Sequence, residues 1–314
     1  MKKSLATLVV VFVFAVILVF LMWHGLEARE NTAKRTVPPS RIQRIVSLSP
    51  NLTEILFALG LGDRVAAVSS NCDWPPEAKT KPKVGTFWQP NTEAIIAAEP
   101  DLVVCESFNQ QRATAETLRR TGLNILSLRV ESISELFPAI TEIGQAAGCS
   151  PAADQLAANI KSQLDQIRTT TSSSRKVKVL WIMQPEPLRV AGVNTFVNEI
   201  IELAGGQNAI GPTIDRYPSI GTEEILSCGA EVIIQSAMGT EDIYKQQIAA
   251  EQFWSRFANL PAVKNKRIYV IDADTVLRLG PRLPQGLQTT AQCLHPELFA
   301  QPQESNRKTE QTDD

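Results

Sequence analysis

The 314-residue chain holds two histidines, His24 and His295, a scarcity that argues against histidine-rich metal sites and most histidine-based catalysis. Its five cysteines, Cys72, Cys105, Cys149, Cys228 and Cys293, form no C-x-x-C pair. The odd number leaves at least one thiol unpaired within the chain, and small buried hydrophobe is the default reading for each. Neither sign of charge is in excess: Lys+Arg 31 stands against Asp+Glu 33, so the electrostatic footprint of a nucleic-acid binder is missing. The G-x-x-x-x-G-K-[ST] and G-x-S-x-G motifs are missing too. Gly60-Leu61-Gly62-Asp63-Arg64-Val65 imitates a dinucleotide fingerprint, but it follows a helix and precedes a strand, the wrong order. An enzyme is not expected.

What the chain does have begins at its start. Lys2 and Lys3 precede an uncharged apolar run from Leu5 to Trp23. As a helix it would extend about 28 Å, close to the hydrocarbon thickness of a bilayer. The lysines favour a cytoplasmic N-terminus, which puts the rest of the chain outside the cytoplasm. The run is long for a cleaved signal, Leu26-Glu27-Ala28-Arg29 is a poor cleavage site, and no cysteine follows it for lipid attachment. Residues 1–25 are therefore read as a membrane anchor in preference to a removed signal. Residues 26–40, polar and ending in Pro38-Pro39, read as a linker.

From there strand and helix alternate. Arg44 to Leu48 reads as a strand, and Asn51 with Glu54 as a capping box opening a helix that stops at Gly60. Val65–Val68, Asp101–Cys105 and Asn124–Leu128 are further strands, with helices at Thr92–Ala98 and about Gln110–Arg120 between them. Residues 132–170 break the rhythm with two helices, the second running from about Ala152 to Arg168. A second series follows, with strands at Lys178–Met183, Glu231–Gln235 and Arg267–Ile271 and a final helix from about Pro281 to Leu294. The expected class is α/β: a lobe over 41–148, a connecting helix over 149–174, a lobe over 175–300 and a disordered tail over 301–314, with mostly parallel sheets. In such proteins a ligand lies between lobes, on loops at strand carboxyl ends. Those loops here are rich in aromatic and polar groups: Ser49-Pro50-Asn51, Asn71 to Pro76 with Trp74, Gly85 to Gln89 with Phe87 and Trp88, Gln184 to Arg189, Asp215 to Pro218, and Asp274 to Arg278. The alternative is that Trp74 and Trp88 close the core of their own lobe, and for Trp74 that reading weighs as much as stacking on a ligand.

From about Arg41 to Phe299 the chain resembles the helical-backbone (class III) binding proteins of ABC importers, which take up cobalamin, siderophores and haem. The segments that carry the resemblance are RIVSLSPNLTEILFALGLGDRVAAVSS, CDWPPEAKTKPKVGTFWQPNTEAIIAAEPDLVV and DTVLRLGPRLPQGL. SSNCDWPPEA and RLGPRLPQGL look most like the cobalamin-binding members. The resemblance implies two lobes joined by one long helix, with a ligand cleft between them. It places Asn51, Phe87 and Tyr217 at a cobalamin site, Leu188 and Val276 beside them, and Trp88 as a second candidate for stacking. A ferric siderophore or haem is the alternative ligand, and Tyr217 would be the axial ligand for haem; Cys72 reads as packing or as a cobalt ligand. No resident cofactor or metal is expected. The partners implied are a permease and its ATPase, met by Glu93 and Glu223, one from each lobe; the chain itself is expected to be a monomer. A membrane-tethered sensory or interaction module is the reading from a different class. Both glutamates sit in the first turn of an expected helix, where the dipole favours a carboxylate with or without a partner.

Overall fold

The computed structural model describes residues 42–237, Gly239 and residues 242–299. The anchor and tail expected at 1–25 and 301–314, and the linker at 26–40, lie outside the described residues. No helix among the described residues is long and apolar enough to cross a membrane.

The first half runs β1 (Ile45–Ser47), α1 (Pro50–Ala58), β2 (Val65–Val68), α2 (Pro76–Thr80), α3 (Thr92–Ala97), β3 (Leu102–Glu106), α4 (Asn109–Arg120) and β4 (Ile125–Leu128). Its four strands pair in the order β2-β1-β3-β4, all parallel. Two helices follow, α5 (Ile133–Ala147) and α6 (Ser150–Thr171). Gly148, at φ 73, ends the first in the left-handed region that glycine enters without strain. Gly144 then lets α5 lie directly on Ala153 of α6.

The second half runs β5 (Val177–Pro185), β6 (Leu188–Val190), α7 (Phe196–Leu203), β7 (Gly206–Asn208), α8 (Thr222–Ser227), β8 (Val232–Ala237), α9 (Ile243–Trp254), α10 (Pro261–Lys264), β9 (Ile268–Asp272), α11 (Ala273–Val276), α12 (Leu283–Leu294) and α13 (Pro296–Phe299). The path is β6-β5-β8-β9, with β7 also on β5; only β6 is antiparallel. The expected two-lobed α/β architecture is present.

Three apolar layers hold it. One, with Val46, Val103 and Ile95, covers the outer face of the first sheet. Another, with Ile182, Ile233 and Trp254, covers the outer face of the second. The third lies between the sheets and runs without a break from Ile45 and Leu52 through Leu136 and Ile160 to Val179 and Leu287. The lobes therefore share one core.

Two local expectations are corrected. Ser49, not Asn51, is the N-cap of α1, and no side-chain cap bond forms. Glu54 turns away from the helix end to accept bonds from Arg282 Nε at 2.9 Å and Nη2 at 2.6 Å. Residues 184–189, read as a loop, form the β5–β6 hairpin, with Pro185 opposite Leu188.

Candidate functional site

A cavity of about 400 Å³ opens between the lobes. Strand ends build it. From β3 come Glu106, Ser107 and Phe108, and from β4 Leu128 to Glu131; the second lobe supplies Phe196 at the start of α7 and the loop residues Arg216 and Tyr217.

The 85–90 turn supplies the remaining wall. Gly85 has φ +92, and a Cβ there would stand 2.6 Å from Asn91 N and Gln89 O, so the turn needs glycine. It presents Phe87 and Trp88, whose rings meet edge to face at 4.8 Å; Phe108 lies 5.0 Å from Phe87 and 5.7 Å from Trp88. Trp88 is 60% exposed, which makes it a poor core residue and a good stacking surface. Buried Gln111 fixes this wall from behind. Its Nε2 donates to Leu48 O and Phe87 O, while its Oε1 accepts from Ser49 Oγ and the Glu106 amide. Asn71 Oδ1 accepts the Phe87 amide at 2.8 Å.

Charge in the cavity is balanced. Arg216 of the second lobe reaches Glu131 of the first at 3.1 Å, and Arg129 meets Glu131 and Glu135 at 3.4 and 3.1 Å. The Glu106 carboxyl is pushed up to about 7 by burial, with Glu131 adding to the shift and a hydrogen bond from Asn51 opposing it. Burial also raises the Tyr217 phenol. Among the described residues, no group of three or more His, Cys, Asp or Glu side chains could hold a metal ion.

Of the residues picked from sequence, Phe87, Trp88 and Tyr217 line the cavity, and Asn51 lies behind it, bonded to Glu106. Leu188 and Val276 do not line it. Leu188 is paired in β6 and packs toward the outer core of the second lobe; Val276, in α11, is 1% exposed in the shared core. Cys72 is buried too, its thiol bonded to Thr53 and Ser69 and raised by burial, so it faces no cavity. Trp74 belongs to a different place, 4.9 Å beneath the Arg282 guanidinium in a second hollow. His295 is buried, its Nε2 3.2 Å from Gly205 O. Glu106, Phe108, Phe196 and Gln111 were not picked. The first two follow directly on an expected strand, where the carboxyl-end rule would have found them.

Two α/β lobes on a shared helical core, with an aromatic cavity between them, give the frame of a protein that holds a solute between its lobes. The chain belongs to the periplasmic binding protein family, whose model matches residues 45–275. It is similar to the uncharacterized ABC transporter substrate-binding lipoprotein YvrC of Bacillus subtilis (strain 168), 32% identical over 82% of this chain and 81% of that protein. Among solved structures, the periplasmic vitamin B12 binding protein BtuF of Vibrio cholerae superposes with TM-score 0.71 at 25% identity, covering 83% of this chain and 99% of that one. The periplasmic heme-binding protein RhuT from Roseiflexus sp. RS-1 superposes with TM-score 0.72 at 26% identity, covering 82% and 99%. The chain is a substrate-binding protein of the ABC-transporter class, and not an enzyme.

Proposed function

We propose that this protein captures a corrinoid such as cobalamin in the interlobe cavity and hands it to the permease and ATPase of an ABC importer. The observation that carries the reading is the cavity wall: Phe87, Trp88 and Phe108 on one side, Phe196 and Tyr217 on the other, with every lining arginine matched by a carboxylate. A broad ring system gains from stacking on such walls, and the amide-edged corrin brings no net anionic rim that would need free cations. Glu106, whose carboxyl is pushed up to about 7 by burial, keeps its proton below that pH and can then donate to an amide carbonyl. A cavity of about 400 Å³ would hold one face of so large a solute and leave the rest to solvent. Haem or a ferric siderophore is the second reading. Arg129 and Arg216 favour it, since either could leave its carboxylate for an anionic group of the ligand.

The apolar run at 5–23 would tether the lobes on the outer side of the cytoplasmic membrane. Glu93 and Glu223, both exposed and both in a first helical turn, would meet cations on the permease.

Calorimetric and absorbance titration with cyanocobalamin, haemin and a ferric hydroxamate decides between the ligands. Saturable binding of cyanocobalamin at micromolar protein, lost in Trp88→Ala, is the expected result. Binding of haemin or the ferric hydroxamate alone would transfer the assignment to that ligand.

A further inference from the structure

The second hollow encloses about 520 Å³ and shares no lining residue with the interlobe cavity. Its floor is apolar, built from Phe57 of α1, Trp74, Pro75 and Pro281. Trp74 is 45% exposed although the Arg282 guanidinium stands 4.9 Å from its ring. A broad indole face left to water inside a hollow is a surface on which apolar groups can stack. The rim is acidic. The cations that line it are already spent: Arg282 holds Glu54 by two bonds, and Lys81 Nζ donates to Gly62 O at 2.9 Å. Asp63 and Glu77 are exposed, and their carboxylates have no partner among the described residues.

The chain enters the first lobe beside this rim. Arg64, the residue after Asp63, donates from Nη1 to Ile42 O at 3.4 Å and to Ala147 O at 3.1 Å. Immediately upstream of Ile42 stand Lys34-Arg35-Thr36-Val37-Pro38-Pro39-Ser40-Arg41, outside the described residues. Two adjacent cations there are opposite in charge to the rim, and an aliphatic with two prolines suits the floor. Val-Pro-Pro favours the polyproline II form, which aromatic-lined grooves bind at low entropic cost. At about 3.1 Å per residue, the stretch from Arg41 back to Lys34 reaches about 25 Å. That is enough for the prolines to lie over Trp74 while the cations still meet the rim.

We propose that the second hollow binds the chain's own segment 34–41, with Val37-Pro38-Pro39 on Trp74 and Phe57, and with Lys34 and Arg35 at Asp63 and Glu77. Covalent attachment beside the rim supplies a high effective concentration, so contacts too weak to hold a free peptide suffice. Segment and hollow meet in this way with or without a membrane. Where residues 5–23 anchor the chain, as proposed above, residues 24–33 alone would remain as free tether. The lobes would then be held at one attitude to the membrane instead of swinging on the whole linker.

The test uses the full chain in detergent micelles. With p-benzoylphenylalanine in place of Val37, irradiation is expected to cross-link position 37, within one chain, to the peptides that carry Phe57, Trp74 or Pro281. Limited trypsin digestion reads how often the segment is free, with cleavage after Arg29 as the internal reference. Cleavage after Lys34 and Arg35 should quicken about fivefold in the double variant Asp63→Asn, Glu77→Gln, whose exposed and unbonded carboxylates carry no part of the fold. Trp74→Ala should quicken it about tenfold. Equal cleavage rates in wild type and variants overturn the proposal. So do cross-links that join two copies or reach only detergent, which would leave the hollow to another occupant. Release of the chain from membranes by alkaline carbonate would sink the anchor and leave the bound segment untouched.

Discussion

Glu106 concentrates the chemistry of the cavity in one side chain. A carboxyl ordinarily titrates near 4.5, but burial holds this one to about 7. Between those values the unfolded chain has released the proton and the folded chain has kept it, so the contribution of Glu106 to stability is complete below about pH 4.5. It is then lost progressively as pH rises to about 7. Glu106→Gln removes that slope. The difference in melting temperature between variant and wild type should therefore shift in favour of the variant from pH 4.5 to 7.5, and a pH-independent difference would refute the assignment. Gln111 has a different part: no titration, but four bonds that fix where Phe87 and the Glu106 backbone stand.

At the scale of elements, α1 and the segment leading into α12 are joined by charge. Glu54 is 2% exposed, and Arg278 and Arg282, at 14% and 15%, come from the other end of the chain to meet it. Arg278 also holds Asp73 and Asp274, each at 2.6 Å. Removing one partner of a buried pair strands the other's charge, so Glu54→Ala should cost about 3 kcal/mol in urea unfolding. Arg282→Lys should not restore it, because the two-pronged contact is lost with the planar fork. None of this was legible locally. Asn51 and Glu54 have the spacing of a capping box, and only the fold brings Arg282 to the carboxylate. The long buried strands were readable because parallel strands covered on both faces are near-continuous apolar runs. The strands β6 and β7 were not: Leu188–Val190 and Gly206–Asn208 are three residues each, and pairing with β5, not composition, makes them strands. The aromatic loops of the cavity showed themselves as breaks after such runs. Leu188 and Val276 misled because residues near a cleft in sequence were drawn into the cores on either side of it.

At the scale of the molecule, the decisive feature is the apolar layer shared by both sheets. Opening the lobes would pull Leu136, Ile160 and Leu287 from their neighbours on either side. The ion pair from Arg216 to Glu131 and the bond from the Ile133 amide to Glu199 Oε2, at 2.8 Å, add ties across the same boundary. Ligand binding should therefore change the radius of gyration by less than about 1 Å in small-angle scattering. A contraction of several ångströms would mean that the shared layer yields.

A carrier built in this way would present nearly the same outline whether loaded or empty. At the membrane, vacant copies would then compete with filled ones for the same berth, and import would depend on the fraction of carriers that arrive with cargo. The rate of uptake would rise with solute, and fall if the cell made the carrier in excess of what it has to carry.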